Sequence, residues 1–353
     1  MRYCQRCGVP RILTSEHSWD SSGMLFLTRD PTHRMVILDN EALNHILDSI
    51  ADRIGIPVEQ IIVEAKRKSG KHFMNAVLSG IKGTFARNLA SAKVYQQLAH
   101  QTAMLGLGTA QVVAYKRHSF LEGMITDAYN PAAIAGDICG AFESVEHRFG
   151  EVSYQTEGNS LRLSITASGS DAEEYLDRFS YEPPPVIDGR NIFELCPLCR
   201  GPKDLGRSYD FDIEAGLIHE KKTGHRTVLV GVMTLKSLFG ELESELGEEI
   251  PRLIMGIEKE RVRGVIAAKG RDLDSSEEGY LRFLKTTRLK GMGNGVSVGL
   301  TDGTVKARVD NPYFEPLIAG MLGGFFEAAT GGDAEVEWTD GSTGFTEVTL
   351  RPA

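Results

Sequence analysis

Apolar residues recur along this chain with two spacings, and the same succession of spacings occurs in both halves. One stretch of each half has them at i, i+3, i+4, i+7 and i+11, which predicts an amphipathic helix. The positions are Leu43, Ile46, Leu47, Ile50 and Ile54 in the first half, and Leu235, Leu238, Phe239, Leu242 and Leu246 in the second. Asn40 is the predicted N-cap of the first helix, and Gly55 and Gly247 supply the glycine signals that end helices.

Each of these helices follows a stretch that predicts a β-hairpin. In the first half, apolar residues cluster over 19–27 and 34–38, on either side of a turn at 29–32. In the second half, residues 217–220 and 226–230 flank a turn at 222–224. Apolar runs of this length separated by a turn are typical of antiparallel strand pairs.

The later part of each half predicts strands around one helix. Pro57 restarts a helix, and the Ala- and Leu-rich residues 74–105 predict one or two more. The first half then has predicted strands at 110–115, 124–128, 152–154 and 161–165 and a helix at 131–146. The second half has strands at 296–300, 305–309, 334–338 and 346–350 and a helix at 314–328. Helices followed by a small antiparallel sheet with a covering helix predict an α+β fold.

The two halves also match residue by residue. At an offset of 192 residues, Cys4-x-x-Cys7 falls on Cys196-x-x-Cys199 and His33-Arg34 falls on His225-Arg226. Further along, the offset is 184, and Gly140-Ala-Phe-Glu143 falls on Gly324-Phe-Phe-Glu327. We infer an internal duplication with repeats at 1–188 and 189–353, the Pro-rich stretch 182–189 being the linker. The two repeats are expected to form an intrachain pseudo-dimer.

Composition narrows the class of protein. A chain of 353 residues with 41% hydrophobic content can bury two ordinary cores. No apolar run approaches the ~18 residues of a membrane span, and residues 1–7 do not resemble a signal peptide. Four of the five cysteines form CxxC pairs, which indicates metal or redox chemistry in a reducing compartment. We therefore expect a cytoplasmic protein.

Charge is distributed unevenly. The net charge is −9, which argues against nucleic acid as a partner. Residues 65–121 contain no Asp or Glu and carry +9, which leaves −18 for the remainder. The segment predicts a site for an anionic ligand, with Lys66, Arg67, Lys68 and Lys71 as the candidates. The alternative is a helix face that pairs with acidic groups of the same protein.

The CxxC pairs are the strongest chemical signal. Two such pairs supply the four thiolates that a tetrahedral zinc ion requires, so Cys4, Cys7, Cys196 and Cys199 are the predicted metal ligands. One ion shared by both repeats is the economical arrangement. One ion per repeat, completed by His33 or His225 or by Asp20 or Asp212, is an alternative, as is an iron–sulfur cluster. A closed site with four cysteines leaves no coordination position open for chemistry.

Two further sets of residues are candidate ligand-binding groups. His33, Arg34, His225 and Arg226 follow the hairpin turns, where they could face a bound ligand or serve folding, each arginine pairing with Asp20 or Asp212. Glu143 and Glu327 end apolar helical segments, where a carboxylate could lie in a pocket or reach solvent.

The order of elements in the later part of each half resembles that of the 4-vinyl reductase domain. The residues that carry the resemblance are Gly106, Gly108, Tyr129, Gly136, Phe142 and Glu143, with Gly291, Gly293, Tyr313, Gly320, Phe326 and Glu327. That family includes a bacteriochlorophyll-biosynthesis protein and sensory domains of aromatic-responsive transcription activators, and its fold is shared with subunits of the TRAPP complex. Its usual zinc ligands include cysteines of the C-terminal strands and helix, where this chain has Cys139 alone.

The resemblance implies a module that binds a hydrophobic, aromatic or tetrapyrrole-like small molecule, with a protein partner to receive the signal. One alternative is an accessory subunit or enzyme that acts on an aromatic or tetrapyrrole substrate. Another is a scaffold in a multi-subunit complex, and a homo-oligomer is compatible with each. The sequence shows no nucleophile–base pair, catalytic motif or nicotinamide fingerprint, which favours a binding function over an enzymatic one.

Overall fold

A computed structural model describes residues 2–78, 80–169, 184–190, 193–268, 270 and 273–353, and for residues 80–90 it describes the backbone only. The chain forms two compact units, each built from both halves of the sequence. Unit 1 comprises Pro57–Tyr181 and Tyr209–Glu245, and unit 2 comprises Arg2–Ile56, Glu182–Ser208 and Leu246–Ala353. The predicted boundary at residue 188 separates the two sequence repeats and does not separate these two units. The repeat boundary stays a prediction.

The elements are numbered in chain order. The helices are α1 Arg11–Glu16, α2 Asn40–Ile54, α3 Glu59–Val77, α4 Gly80–Met104, α5 Pro131–Glu146, α6 Lys203–Ser208, α7 Val232–Leu246, α8 Ile250–Ala267, α9 Glu277–Lys285 and α10 Glu315–Thr330. The strands are β1 His17–Trp19, β2 Leu25–Leu27, β3 Asp30–Asp39, β4 Thr109–Lys116, β5 Phe120–Thr126, β6 Phe149–Glu157, β7 Ser160–Ser168, β8 Tyr209–Asp212, β9 Leu217–Glu220, β10 Arg226–Gly231, β11 Asn294–Thr301, β12 Thr304–Asp310, β13 Ala334–Trp338 and β14 Phe345–Pro352. The predicted α+β class is confirmed.

Each unit contains a four-stranded antiparallel sheet, and the two sheets have the same strand order. In unit 1 the order is β4-β5-β7-β6, and in unit 2 it is β11-β12-β14-β13. Alternate residues of the central strands are buried, as in Leu161, Leu163 and Ile165 of β7 and in Val348 and Leu350 of β14. This period of two is the one expected where one face of a sheet meets the core.

A covering helix packs closely against a second helix in each unit. In unit 1, α5 crosses α3, and a Cβ at Gly136 or Gly140 would overlap the main chain of α3. In unit 2, α10 crosses α8, and Gly320 and Gly324 are confined in the same way. The small residues in this helix are therefore required by the close approach of two backbones.

The predicted hairpins are confirmed, and each has an additional outer strand. In unit 2, β2 pairs with β3 and β1 pairs with β2, while in unit 1, β9 pairs with β10 and β8 pairs with β9. Helix α2 ends at Gly55, which has a φ of 73°. The predicted N-cap, Asn40, is wrong by one residue, because the side chain of Asp39 accepts the hydrogen bond from the N–H of Ala42.

Segments of the second half complete unit 1 through main-chain contacts. The N–H of Leu229 on β10 donates to the carbonyl of Leu105 at 2.9 Å, and the N–H of Gly108 donates to that of Gly216 at 3.1 Å. In unit 2, the indole N–H of Trp19 donates to the carbonyl of Leu289 at 2.9 Å. Among the described residues, no helix is long and apolar enough to cross a membrane.

Candidate metal centre and ligand cavity

Each CxxC sequence forms a tight turn, and the two turns have the same geometry. The N–H of Gly8 donates to the carbonyl of Cys4 at 2.8 Å, and the N–H of Arg200 donates to that of Cys196 at 2.9 Å. Gly8 and Arg200 both have left-handed backbones, with φ values of 73° and 64°. This conformation is uncommon for a residue other than glycine, so both turns keep the same conformation even where the residue type does not favour it.

The two turns bring four sulfur atoms together within unit 2. The Sγ atoms of Cys4 and Cys196 lie 3.7 Å apart, and those of Cys7 and Cys199 lie 3.5 Å apart. All four Sγ atoms lie within 4.8 Å of one another. Four ligands at the usual zinc–sulfur distance in a tetrahedron are about 3.8 Å apart. The cluster could therefore bind a metal ion.

Burial and hydrogen bonding affect the four thiols differently. Cys4 and Cys196 are buried, whereas Cys7 and Cys199 are half-buried. Hydrogen bonding from the backbone N–H of Cys199 lowers the pKa of Cys196 to about 6. Burial raises the pKa of Cys7 to about 12. Since a metal binds the thiolate form, coordination by all four groups would release protons.

Asp20 and Asp212, which the sequence offered as alternative metal ligands, accept hydrogen bonds from main-chain N–H groups of their own hairpins. The carboxylate of Asp20 accepts from the N–H of Ser22 at 3.0 Å and from that of Met24 at 3.2 Å. The carboxylate of Asp212 accepts from the N–H of Ala215 at 3.0 Å. Both close turns in their hairpins. In the described part of the chain, the group of potential ligands that contains the cysteines includes neither Asp20 nor His33.

The two predicted arginines of the hairpins hold corresponding main-chain groups. Arg34 Nη2 donates to the carbonyl of Asn311 at 2.8 Å in unit 2, and Arg226 Nη2 donates to that of Asp127 at 2.7 Å in unit 1. Asn311 and Asp127 have left-handed backbones, with φ values of 51° and 53°. These contacts match the folding role that the sequence offered for the arginines, with carbonyl groups as partners.

The predicted histidines lie beside these arginines. His33 is half-buried on β3. The carbonyl of His225 accepts from the N–H of Glu220 at 2.9 Å, which closes the turn of the second hairpin. A role of either histidine in ligand binding stays a prediction.

Glu143 lies at the interface of α5 with α3. Its carboxylate accepts from Arg67 Nε at 2.8 Å and from the N–H of Gly150 at 3.0 Å. Lys71 Nζ lies 3.5 Å from its other oxygen. The side chain is only 3% exposed, so this carboxylate is part of a buried ion-pair network that joins two helices and a strand.

Glu327 has the corresponding surroundings in unit 2. Lys259 Nζ lies 2.7 Å from one carboxylate oxygen, and Arg263 Nη1 lies 3.3 Å from the other. The N–H of Ala334 donates to it at 2.9 Å. The positions of lysine and arginine are exchanged relative to unit 1, but the arrangement of charges is the same. Ligand binding by Glu143 or Glu327 stays a prediction.

The other predicted anion-binding cations are also paired with carboxylates of unit 1. Lys66 Nζ lies 3.0 Å from Asp137, and Lys68 Nζ lies 2.5 Å from Glu241. Burial raises the pKa of Asp137, although Lys66 opposes the shift. These contacts fit the alternative in which the basic segment pairs with acidic groups of the same protein. Two further cations of the basic segment 65–121, Lys82 and Arg87, have side chains outside the described residues.

A cavity of about 330 Å³ lies between α3 and β6 in unit 1. Its lining residues are Glu59, Gln60, Val63, Glu64, Arg67, Phe149, Gly150, Glu151, Val152 and Tyr154. Val63, Arg67 and Gly150 are buried, and the guanidinium of Arg67 lies 3.8 Å from the centre of the Phe149 ring. The volume is at the lower end of the range of small-molecule sites.

Comparison of this chain with known proteins gives a distant likeness among solved structures. A scan against protein-family models finds no match for this chain, and neither does a search of curated proteins. Among solved structures, the phenol-responsive sensory domain of the transcription activator PoxR, in complex with phenol, matches at 16% identity and a TM-score of 0.33. The match covers 42% of this chain and 87% of that chain. A likeness this distant assigns no ligand.

A second buried carboxylate of unit 1 was not singled out from the sequence. Glu146 is 1% exposed and accepts from the hydroxyl of Tyr95 at 3.0 Å, from that of Tyr115 at 2.8 Å and from the N–H of His118 at 2.8 Å. Burial raises the pKa of Tyr115 to about 12. The donors to Glu146 come from separate parts of the chain, and the position that matches Glu146 in the second half is Thr330. No repeated pattern in the sequence therefore indicated this network.

Proposed function

We propose that this protein binds one zinc ion through Cys4, Cys7, Cys196 and Cys199 and uses unit 1 to bind a small molecule. The observation that carries the metal proposal is the convergence of four Sγ atoms within 4.8 Å of one another. Separations of 3.5 Å and 3.7 Å favour a single ion over an iron–sulfur cluster. In a [4Fe–4S] cluster each thiolate binds a different iron, so the cysteine sulfurs lie farther apart than in a site with one zinc ion.

The zinc ion would have a structural role. Four thiolates complete a tetrahedral site and leave no position for a substrate or water. The ion would join two chain segments whose cysteines are 192 residues apart in sequence, and thus tie the first repeat to the second. A site of four thiolates also favours a reducing compartment such as the cytoplasm.

Metal analysis of the full-length protein tests this role. We expect one zinc per chain by native mass spectrometry, and loss of zinc in both Cys4→Ser and Cys196→Ser. Cys139→Ser is the matched control, because Cys139 is a buried cysteine of α5 in unit 1, and this variant should keep its zinc. Two zinc ions per chain, zinc retained by Cys196→Ser, or the visible absorbance of an iron–sulfur cluster would each contradict the proposal.

The cavity between α3 and β6 supports the small-molecule function. Its walls combine the rings of Phe149 and Tyr154 with the apolar side chains of Val63 and Val152, which is the usual character of a ligand pocket. We also propose that each half is a 4-vinyl-reductase-like repeat, and the shared strand order of the two sheets supports this. The predicted hydrophobic or aromatic ligand agrees with the apolar walls.

Occupancy of the cavity tests the second function. Gln60 lies on the exposed side of α3 and lines the cavity, so Gln60→Trp should fill it while the protein stays folded. We expect mass spectrometry of the native protein to detect a co-purified or added small molecule that this variant no longer binds. Arg252→Trp, at the matching position of the second half, serves as the control. Equal binding by the original protein and Gln60→Trp would place the ligand elsewhere.

A further inference from the structure

We infer that the cavity between α3 and β6 takes a small organic cation with an apolar body, a ligand of the opposite charge to the anion expected at the basic segment. The inference rests on the proposal that this cavity binds a small molecule. It follows from the charge of the lining, from the pairing of its arginine and from a comparison with the second half.

Arg67, the one cation among the described residues of the lining, is already neutralised within unit 1. Arg67 Nη2 lies 2.5 Å from the carboxylate of Glu143, and Arg67 Nη1 lies 3.2 Å from that of Glu64. One face of the guanidinium is covered by the ring of Phe149. An anionic ligand would have to compete with two carboxylates and would leave a buried charge unpaired, which is costly.

Within the described part of the chain, three glutamates line the cavity beside this single guanidinium. Glu64 is partly exposed, and Glu59 and Glu151 lie exposed at the opposite walls formed by α3 and β6. Burial raises the pKa of Tyr154, which lines the cavity, and the negative charge of Glu59 raises it further. The charge of Glu59 therefore acts on a group in the wall of the cavity. Because Glu64 is paired with Arg67, a positively charged ligand would be attracted chiefly by Glu59 and Glu151.

The aromatic residues of the cavity suit the apolar part of such a ligand. Tyr154 and Val152 line the β6 side, and Val63 is buried on the α3 side. The face of an aromatic ring also attracts a nearby cation. A primary ammonium group attached to a ring or a short alkyl chain would therefore satisfy both the charge and the apolar walls.

The second half shows that the fold does not need these residues. At the positions that match Glu59, Gln60, Glu64 and Phe149, it has Pro251, Arg252, Gly256 and Asp333. Helix α8 still packs against α10 there, as α3 does against α5. Glu59 and Glu64 thus occur only in unit 1, whereas Glu151 is matched by Glu335 in unit 2. The presence of Glu59 and Glu64 in unit 1 alone is expected if they serve a ligand and not the packing of the helices.

Three probes that share a phenyl ring and a short alkyl chain, and differ in charge, test the inference. They are 2-phenylethylamine, 2-phenylethanol and 3-phenylpropanoate, titrated into the full-length protein by calorimetry at pH 7. We expect the amine to bind roughly tenfold more tightly than the alcohol, because each partly screened carboxylate contributes up to about 1 kcal/mol. The carboxylate probe should bind most weakly, and added salt should weaken binding of the amine.

Variants locate the effect in the cavity. Glu59→Gln and Glu151→Gln should each weaken binding of the amine by roughly two- to fivefold. Glu335→Gln, the exposed counterpart of Glu151 on β13, should leave it unchanged. Two results would overturn the charge assignment: equal binding of all three probes, or tighter binding of the carboxylate probe. If Gln60→Trp abolishes that binding, the small-molecule function of the cavity is kept. Absence of binding by all three would overturn both, as would binding that Gln60→Trp does not affect.

Discussion

At the scale of single residues, the buried carboxylates show what repetition in the sequence can reveal. Glu143 and Glu327 attracted attention because they recur at a fixed offset, and the structure gives both the same three kinds of partner: a lysine, an arginine and a strand N–H. The partners themselves could not be predicted. Arg67 is 76 positions from Glu143, and its counterpart in the second half is a lysine, so the pairing became visible only in three dimensions.

A buried histidine in unit 2 should make stability depend on pH. His17 is 2% exposed, and its Nδ1 lies 3.1 Å from the carbonyl of Leu13. Burial, with a smaller contribution from the charge of His33, lowers the pKa of His17 to about 4. In the unfolded chain this pKa is about 6.5. The unfolded state therefore binds the proton first, and the stabilisation present above pH 6.5 is lost as the pH falls towards 4.

Urea unfolding between pH 7 and pH 4 measures this loss. The pKa difference corresponds to about 3 kcal/mol. His17→Gln should remove this part of the pH dependence, whereas His45→Gln, a change at an exposed histidine of α2, should keep it. The same slope in the original protein and in His17→Gln would show that another group is responsible.

At the scale of elements, the contact of α5 with α3 depends on the absence of side chains. A Cβ at Gly140 would overlap the carbonyl oxygen of Arg67, so Gly140→Ala must push the helices apart. We expect a destabilisation of about 1–3 kcal/mol by urea unfolding. Gly240→Ala is the matched control, because Gly240 lies inside α7 with open space around its Cα. That change should stabilise the protein by up to about 1 kcal/mol. Equal effects of the two changes would disprove the packing argument.

Elements with a strong pattern could be predicted well from the sequence. The helix predicted at 131–146 is α5, Pro131–Glu146, and the strand predicted at 334–338 is β13, Ala334–Trp338. The six-residue helices α1 and α6 were missed, since so short a segment has no recognisable periodicity. The cap of α2 was misplaced because Asp39 and Asn40 are both good capping residues.

The candidate sites differ in how far the sequence could predict them. The convergence of the four cysteines could be expected from the sequence, because each CxxC pair supplies two thiolates and a four-thiolate zinc site needs four. The cavity could not be predicted, since α3 and β6 are far apart in sequence and its residues follow no motif. The excess of positive charge in the basic segment is visible in the sequence. The carboxylates that pair with its cations, such as Asp137 and Glu143, lie outside the segment, so the pairing depends on the fold.

At the scale of the whole molecule, each unit draws on both halves of the chain. Unit 1 needs Tyr209–Glu245 beside Pro57–Tyr181, and unit 2 needs Arg2–Ile56 beside Leu246–Ala353. We therefore expect that residues 1–188 or 189–353 expressed alone will not fold stably, because each lacks a segment that its sheet and helices contact.

Heteronuclear NMR of the separate halves checks this expectation. Each half alone should give the narrow amide dispersion of an unfolded chain, and co-expression should restore the spectrum of the intact protein. A well-dispersed spectrum from either half alone would show that the sequence repeat is also an independent folding unit.

The exchange of segments between the halves has a consequence for synthesis on the ribosome. Cys196 follows Cys4 by 192 residues, so at ordinary elongation rates the first pair of thiols waits roughly 10–40 s for the second pair to be made. During that interval neither unit can be completed, and the first two cysteines remain open to oxidation or to the wrong metal. Loading of the proposed zinc ion would therefore be a late event in the biogenesis of this protein, and the time before Cys196 and Cys199 are made would expose the first pair of thiols to competing reactions.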